Sequence, residues 1–296
     1  MNVINSLFIY LLFPGFLFSF ILSIFVSFLD RKITARLQYR QGPPLLQPLY
    51  DFFKLLLKEV TVPKNANLLF FLSPFLSFAS VVLASSILWT AIIFKKGFIG
   101  DITVFVYLLL IPSVMLILGG ASSGNVIVSL GVSREIKMLL SYELPLITAT
   151  LVPILNSGSL KLIEIMQKNT LSLPSILSFF VLFICLYAKS GIVPFDAPEA
   201  ETEIAGGILM EFSGILLGLI KLTKQVFMSL FPAFLVGLYF FDGGVVSFVI
   251  KYLMILFFII IFKNINPRLK IIQVMKFFWF IIFPLSLLSV ILLFIL

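Results

Sequence analysis

Apolar stretches long enough to cross a bilayer follow one another along nearly the whole chain. They lie near residues 7–29, 68–94, 102–118, 138–156, 173–188, 245–262 and 277–296, with a longer one over 204–241. A membrane-crossing helix needs about 20 apolar residues, and in lipid its backbone groups must be satisfied within the segment. Only 11% of the residues are charged, against about 25% in an ordinary soluble domain, so a water-soluble globule is excluded. The predicted fold class is an all-α integral membrane protein with eight transmembrane helices, forming a single membrane domain over 1–296. The first run has no basic residue before it, which suits an uncleaved anchor better than a signal peptide.

Glu211, Lys221 and Lys224 interrupt the stretch 204–241. One long helix, tilted or broken, gives eight crossings; two separate helices give nine. Positive charge tests the count. With eight, fourteen basic residues fall on one side, in the loops that carry Arg31–Lys64, Arg134 and Lys137, Lys189, and Lys263–Lys276. The other side holds only Lys95, Lys96, Lys161 and Lys168. Basic loops stay cytoplasmic, so both termini face outward. A ninth crossing would reverse the last loop and spoil the asymmetry, so eight fits better.

The chain contains no His and one Cys, Cys185, inside an apolar run. Iron–sulfur clusters need several thiolates and haem an axial ligand such as His; zinc draws on sets of both. The chain is therefore expected to hold no cofactor, metal or catalytic residue of its own. Any proton relay within it has to use carboxylates, lysines, tyrosines and water.

The first cytoplasmic loop, 30–67, carries Lys32, Arg36 and Arg40 at every fourth residue, then the turn Gly42-Pro43-Pro44. From Pro48 onward Asp51, Lys54 and Lys58 share one helical face while leucines and phenylalanines fill the rest. That pattern predicts an amphipathic helix lying in the interface plane, with a basic rim for lipid phosphates. The segment GGASSGN at 119–125 reads as a flexible helix end. Gly207, Gly214 and Gly218, spaced seven and four apart, read as one packing stripe.

Ionised residues inside a membrane are expensive, about 2.5–3.5 kcal/mol near the centre, and mark function by default. Glu143 sits two residues before Pro145 in the fourth run, and Glu211 lies in the sixth. Between them, in an acidic cytoplasmic loop over 189–207, come Asp196, Glu199, Glu201 and Glu203. If a helix begins at Pro198, Glu203 and Glu211 lie about 40° and 120° from Glu199, with Glu201 about 200° away. A line of acids then runs from the loop into the membrane, with Lys221 and Lys224 as partners or relay members. The alternative is a solvated loop paired with Lys189 and Arg134, and for Glu143 and Glu211 a buried ion pair with a lysine.

These segments together resemble the membrane component of respiratory complex I known as its H, or first, subunit, and its relatives in energy-converting, membrane-bound [NiFe] hydrogenases. The carriers are DRKITARLQYRQGPP, LLQPLYDFFKLLLKE, SYELPL, VPFDAPEAETEIAGG, MEFSG and NPRLKIIQVMKFFW, in the family's order over nearly the whole chain. The resemblance implies a multi-pass protein of a bacterial or archaeal cell membrane. Its partners would be lipid, redox-arm subunits (a NiFe large-subunit-like chain and small Fe–S chains) and antiporter-like subunits, with no nucleic acid. Fe–S clusters and a NiFe site would sit in those partners. It also implies that Glu143, Asp196, Glu199, Glu201, Glu203 and Glu211 couple redox chemistry to ion movement. Arg31, Arg36, Gln38, Arg40 and Asp51 would form the first-loop interface with the redox arm.

Two departures favour the hydrogenase-related branch over quinone users. Pro44 runs straight into LLQP without the usual Asn- and Gly-containing insert, and Ile272 stands where the family often has an acid before Gln273. The expected role is a non-catalytic, ion-coupling membrane subunit of a ferredoxin-linked hydrogenase-type or sulfur-reducing complex. The rivals are a quinone-site subunit of a genuine complex I, a free-standing secondary ion transporter, and a scaffold whose acids only bind partner lysines.

Overall fold

The computed structural model describes residues 10–168 and 171–295, and among these every regular element is helical. Among the described residues ten helices longer than one turn organise the fold: α1 Phe16–Leu37, α2 Gln47–Leu56, α3 Leu68–Phe94, α4 Asp101–Ala121, α5 Val126–Ser157, α6 Leu162–Lys168, α7 Leu173–Lys189, α8 Gly214–Tyr239, α9 Gly244–Ile265 and α10 Ile271–Ile295. Within α10, Phe278–Ile282 form one π-helical turn.

Among the described residues six helices (α3, α4, α5, α8, α9 and α10) are long and apolar enough to cross a membrane. α7 is apolar but has 17 residues, and α1 reaches 22 only by including Asp30, Arg31, Lys32 and Arg36. The beginning of the first predicted run, and residue 296 at the end of the last, lie outside the described residues.

The helix limits follow local chemistry. Asn125 caps α5 by accepting from the Ile127 N–H at 2.9 Å, and Gly158 closes it in the left-handed conformation, as glycine does most cheaply. GGASSGN is therefore the end of α4, through Ala121, followed by a tight turn over 122–125 into α5. Serines within the apolar helices return their hydroxyls to carbonyls three residues back, as at Ser77, Ser80 and Ser86, so they sit in apolar surroundings without an unpaired donor.

The helices pack around α8, whose most apolar stretch is 72% buried against 22% for α10. α8 lies against α3, α1, α2, α7 and α9, and α5 packs on α7, α4 and α10. The connections sort to two ends. At one, Phe13 and Phe94 meet edge to face and Asp101 accepts from the Leu162 N–H at 2.6 Å. At the other, Asn67 N–H donates to the Ser122 carbonyl, Thr61 bonds Ser213, and Leu269 N–H donates to the Pro194 carbonyl.

Two expectations need correction. No continuous helix runs from Pro198 through Glu211: 3₁₀ turns at Ala197–Glu199 and Gly207–Leu209 flank a single turn at Glu201–Ile204. Ala205, Gly206 and Gly207 all take positive φ, which an α-helix forbids, so the helix proper starts at Gly214. Glu211 therefore precedes α8, and Gly207, Gly214 and Gly218 are no single stripe. The second concerns α5. It begins at Val126, twelve residues before the apolar run at 138, which puts Arg134, Glu135 and Lys137 on a helix.

Candidate functional site

The irregular segment 190–213 is held against α5 by a very close backbone approach. A Cβ on Gly131 would stand 2.5 Å from the Ile208 nitrogen, so only glycine admits the loop backbone here. Three of its acids then meet cations from different parts of the chain. Asp196 takes a bidentate pair from Arg268, with Nε donating to Oδ1 at 2.8 Å and Nη2 to Oδ2 at 2.5 Å. Arg134 donates to Glu203 at 2.6 Å and to the Ala197 carbonyl at 3.1 Å. Glu199 is paired with Lys224 of α8. Glu201 is exposed, and Glu211 accepts from the Asn125 side-chain amide, apart from the others.

Deeper between the helices, Lys189 donates to Glu143 at 2.8 Å; the lysine side chain is 2% exposed and the glutamate 12%. The same ammonium lies 5.3 Å from the centre of the Tyr142 ring, whose hydroxyl is 3.1 Å from Ser113 Oγ. On α1, Asp30 accepts from Lys263 of α9 at 2.8 and 3.1 Å. These are buried or half-buried charges, each with a partner, the condition under which such charges persist.

Three cavities connect some of these charges. The innermost, about 60 Å³, is lined by Ser113, Glu135, Lys189, Glu199, Thr223 and Lys224. Its neighbour, about 250 Å³, shares Glu199 and Lys224 and adds Asp30, Arg31, Gln225 and Lys263. The third, about 260 Å³, shares Arg31 and Gln225 and opens beside α2, with Asp51, Lys54, Lys58 and Lys221. Polar cavities of this size hold water when several polar partners converge. Along them the paired carboxylates and cations are Asp51 with Arg31, Asp30 with Lys263 and Glu199 with Lys224, and the innermost cavity adds Glu135 and the Glu143-bound Lys189.

At the outer member, Asp51 accepts from Arg31 at 2.6 Å and from the Gln47 side-chain amide at 3.0 Å. Burial opposes ionisation of Asp51, but those hydrogen bonds and the charges of Arg31 and Lys221 outweigh it and hold the carboxyl below its usual range. The hydrogen bond to Asp196 holds Arg268 still more firmly cationic against a smaller opposing effect of burial.

Of the acids expected from sequence, Glu199 lines the cavities and Glu143 adjoins them through Lys189. Asp196 and Glu203 pin the loop, and Glu201 and Glu211 stand aside. Lys224 joins two cavities and Lys221 faces the third. In the first loop, Arg31 and Asp51 line cavities while Arg36, Gln38 and Arg40 are exposed. Sequence reasoning passes over Glu135 and Asp30. Glu135 sits seven residues before Tyr142 on one face of α5, a spacing visible in the chain once the helix is extended upstream.

The family pattern described as NADH dehydrogenase matches residues 9–294. The chain is 35% identical over 295 residues to the H subunit of the NADH-quinone oxidoreductase of Dehalococcoides mccartyi, covering 92% of this chain and 82% of that protein. It is 32% identical over 286 residues to the same subunit from Geobacillus kaustophilus, covering 89% and 86%. Among solved structures it resembles a chain of the membrane-bound sulfane sulfur reductase, an archaeal respiratory membrane complex. That match has a TM-score of 0.84 and 25% identity, with 94% of this chain and 96% of the other covered.

Proposed function

The chain belongs to the NADH dehydrogenase family, and from that premise we propose that it couples electron flow in neighbouring subunits to H⁺ or Na⁺ movement through the carboxylates between its helices. It is a membrane component of a respiratory complex, akin to the H subunit of complex I. The observation that carries the coupling role is the overlap of three polar cavities at Glu199–Lys224 and at Arg31. A charge entering beside α2 has a path toward Glu135 and Glu143 on which each acid has a basic neighbour. Moving one charge against 100 mV takes about 2.3 kcal/mol, and a pKa change of one unit is about 1.36 kcal/mol, so shifts of a few units among these acids suffice.

On this reading α1, α3, α4, α5, α7, α8, α9 and α10 are eight crossings, and α2 lies in the interface plane. The end rich in Lys and Arg is cytoplasmic and receives the redox arm against Arg36, Gln38 and Arg40. Fe–S clusters and a NiFe-type centre belong to that arm, and antiporter-like subunits take up the far side. The uninterrupted Pro44–Leu45 junction and the likeness to the sulfur reductase chain support the hydrogenase and sulfur-reducing branch.

Glu199→Gln and Glu135→Gln remove titrating groups at nearly constant size. In the intact complex reconstituted into vesicles, coupled ion transport is expected to fall about tenfold or more, equivalent to at least 1.36 kcal/mol of barrier, while electron transfer to the acceptor continues. Unchanged transport in both variants would sink the coupling role. Loss of turnover to a quinone-site inhibitor would point instead to a quinone-reducing member.

A further inference from the structure

Helices α7 and α9 both pack on α8 but are bridged to each other only near their ends. Close to the acidic loop, Tyr187 of α7 meets Phe262 of α9 edge to face at 5.1 Å. At the other end Phe179 of α7 lies edge to face on Phe240, with centroids 5.2 Å apart. There Lys251 of α9 donates to the Phe240 and Asp242 carbonyls at 2.8 and 2.7 Å. Between the two bridges lies a fourth cavity, about 590 Å³, walled by Phe179, Phe180 and Phe183 on one side and Met254, Ile255 and Phe258 on the other. Phe180, Met254 and Phe258 are each more than half exposed, so this slot opens sideways. It shares no lining residue with the three polar cavities and lies off the path of charge.

Length, wall chemistry and charge select the occupant. Lys251 and Phe262, both in the lining, stand about 16 Å apart along α9. One leaflet is about 15 Å deep, half the hydrocarbon thickness, so the slot has the reach of a single acyl chain. A neighbouring membrane helix is about 10 Å across and has to run past both bridges. It also packs best against small residues, whereas these walls are mostly phenylalanine. Apolar walls give water no partners. Charge sits at one end alone. Lys251 enters none of the ion pairs among the described residues, and neither does the Asp242 carboxylate. An ammonium has three N–H donors, and neutral carbonyls take two, which leaves one donor and a full positive charge at the mouth of a hydrocarbon slot. We propose that the slot binds one anionic phospholipid from the leaflet remote from the acidic loop, with an acyl chain between α7 and α9 and the headgroup phosphate accepting from Lys251.

The test places the photo-crosslinker p-benzoylphenylalanine at Phe180, on the rim of the slot, in the intact complex. The complex is reconstituted into vesicles of equimolar phosphatidylglycerol and phosphatidylcholine with identical acyl chains, and the adducts are identified by mass. The same crosslinker at Ile291, exposed on α10, reports the bulk lipid. One basic residue near a membrane surface favours anionic lipid about fivefold, so the phosphatidylglycerol to phosphatidylcholine ratio at Phe180 is expected to exceed that at Ile291 by about fivefold. Lys251→Gln should bring the two ratios together, and Lys251→Arg should keep them apart. Ile184→Trp, which fills the slot from α7, should also bring them together. Equal ratios at Phe180 and Ile291 in the parent protein overturn the proposal without any Lys251 variant. So does an enrichment that survives Lys251→Gln, or an adduct to a neighbouring subunit in place of lipid, which would put a partner helix in the slot.

Discussion

Lys189 is the most enclosed cation of the ion pairs, and its charge is tolerable only because Glu143 and the Tyr142 ring face it. Removing one member strands the other. Lys189→Met should destabilise the protein by about 3–5 kcal/mol, and pairing it with Glu143→Leu should recover much of that loss, as read by thermal unfolding in detergent. Asp51 makes the opposite kind of contribution, at the surface. Because its folded-state carboxyl titrates below the ordinary value of 3.8, its stabilising effect is complete above that value. It drains away as pH falls below it. Asp51→Asn should flatten that acid-side decline while leaving stability at neutral pH little changed, since the pair is more than a third exposed and well solvated. A decline as steep as in the parent protein would remove Asp51 from the account.

At the scale of elements, the acidic loop shows what the chain discloses and what it hides. The apolar runs are readable because hydropathy and length mark a helix wherever lipid is the solvent. Loop 190–213 is not, because its shape rests on positive φ at Ala205, Gly206 and Gly207 and on the approach of Gly131 from another helix. The adjacent Gly206-Gly207 pair is the available turn signal; the apolar residues around it hide that signal and suggest one helix. Glu135 escapes notice for a related reason: hydropathy ends a run at the first charges, whereas α5 at 32 residues spans about 48 Å and continues beyond the bilayer. The Gly131 contact is testable. An added methyl would meet loop backbone at 2.5 Å and 3.0 Å, and backbone cannot swing aside as a side chain can. Gly131→Ala should cost about 1–3 kcal/mol, seen in the melting temperature, and should loosen the loop carrying Glu199. A methyl added at Gly206 would meet nothing within 4 Å, so Gly206→Ala isolates the cost of its φ of +89° from any crowding.

Over the whole molecule, the ion pairs other than Lys161–Glu164 and the three polar cavities gather at the end where α1, α5, α7 and α9 carry their charges, while the opposite end holds that pair and the few lysines of the α3–α4 and α6 connections. Charge asymmetry of this kind fixes orientation during insertion, and the same cations then serve as partners for the loop acids. Topology and site are thus two consequences of one distribution. The single cysteine makes this measurable, since Cys185 is fully buried and gives little background to a thiol reagent. Lys96→Cys and Lys168→Cys, both exposed at the sparsely charged end, should react with a membrane-impermeant maleimide in intact cells. Lys270→Cys, exposed at the other end, should react only after permeabilisation. Eight crossings require that pattern, because an additional or missing crossing between residues 96 and 270 moves Lys270 to the other face relative to Lys96. Labelling of Lys270→Cys in intact cells would break the assignment of the acidic loop to the cytoplasm, and with it the entry of charge from a redox arm on that side.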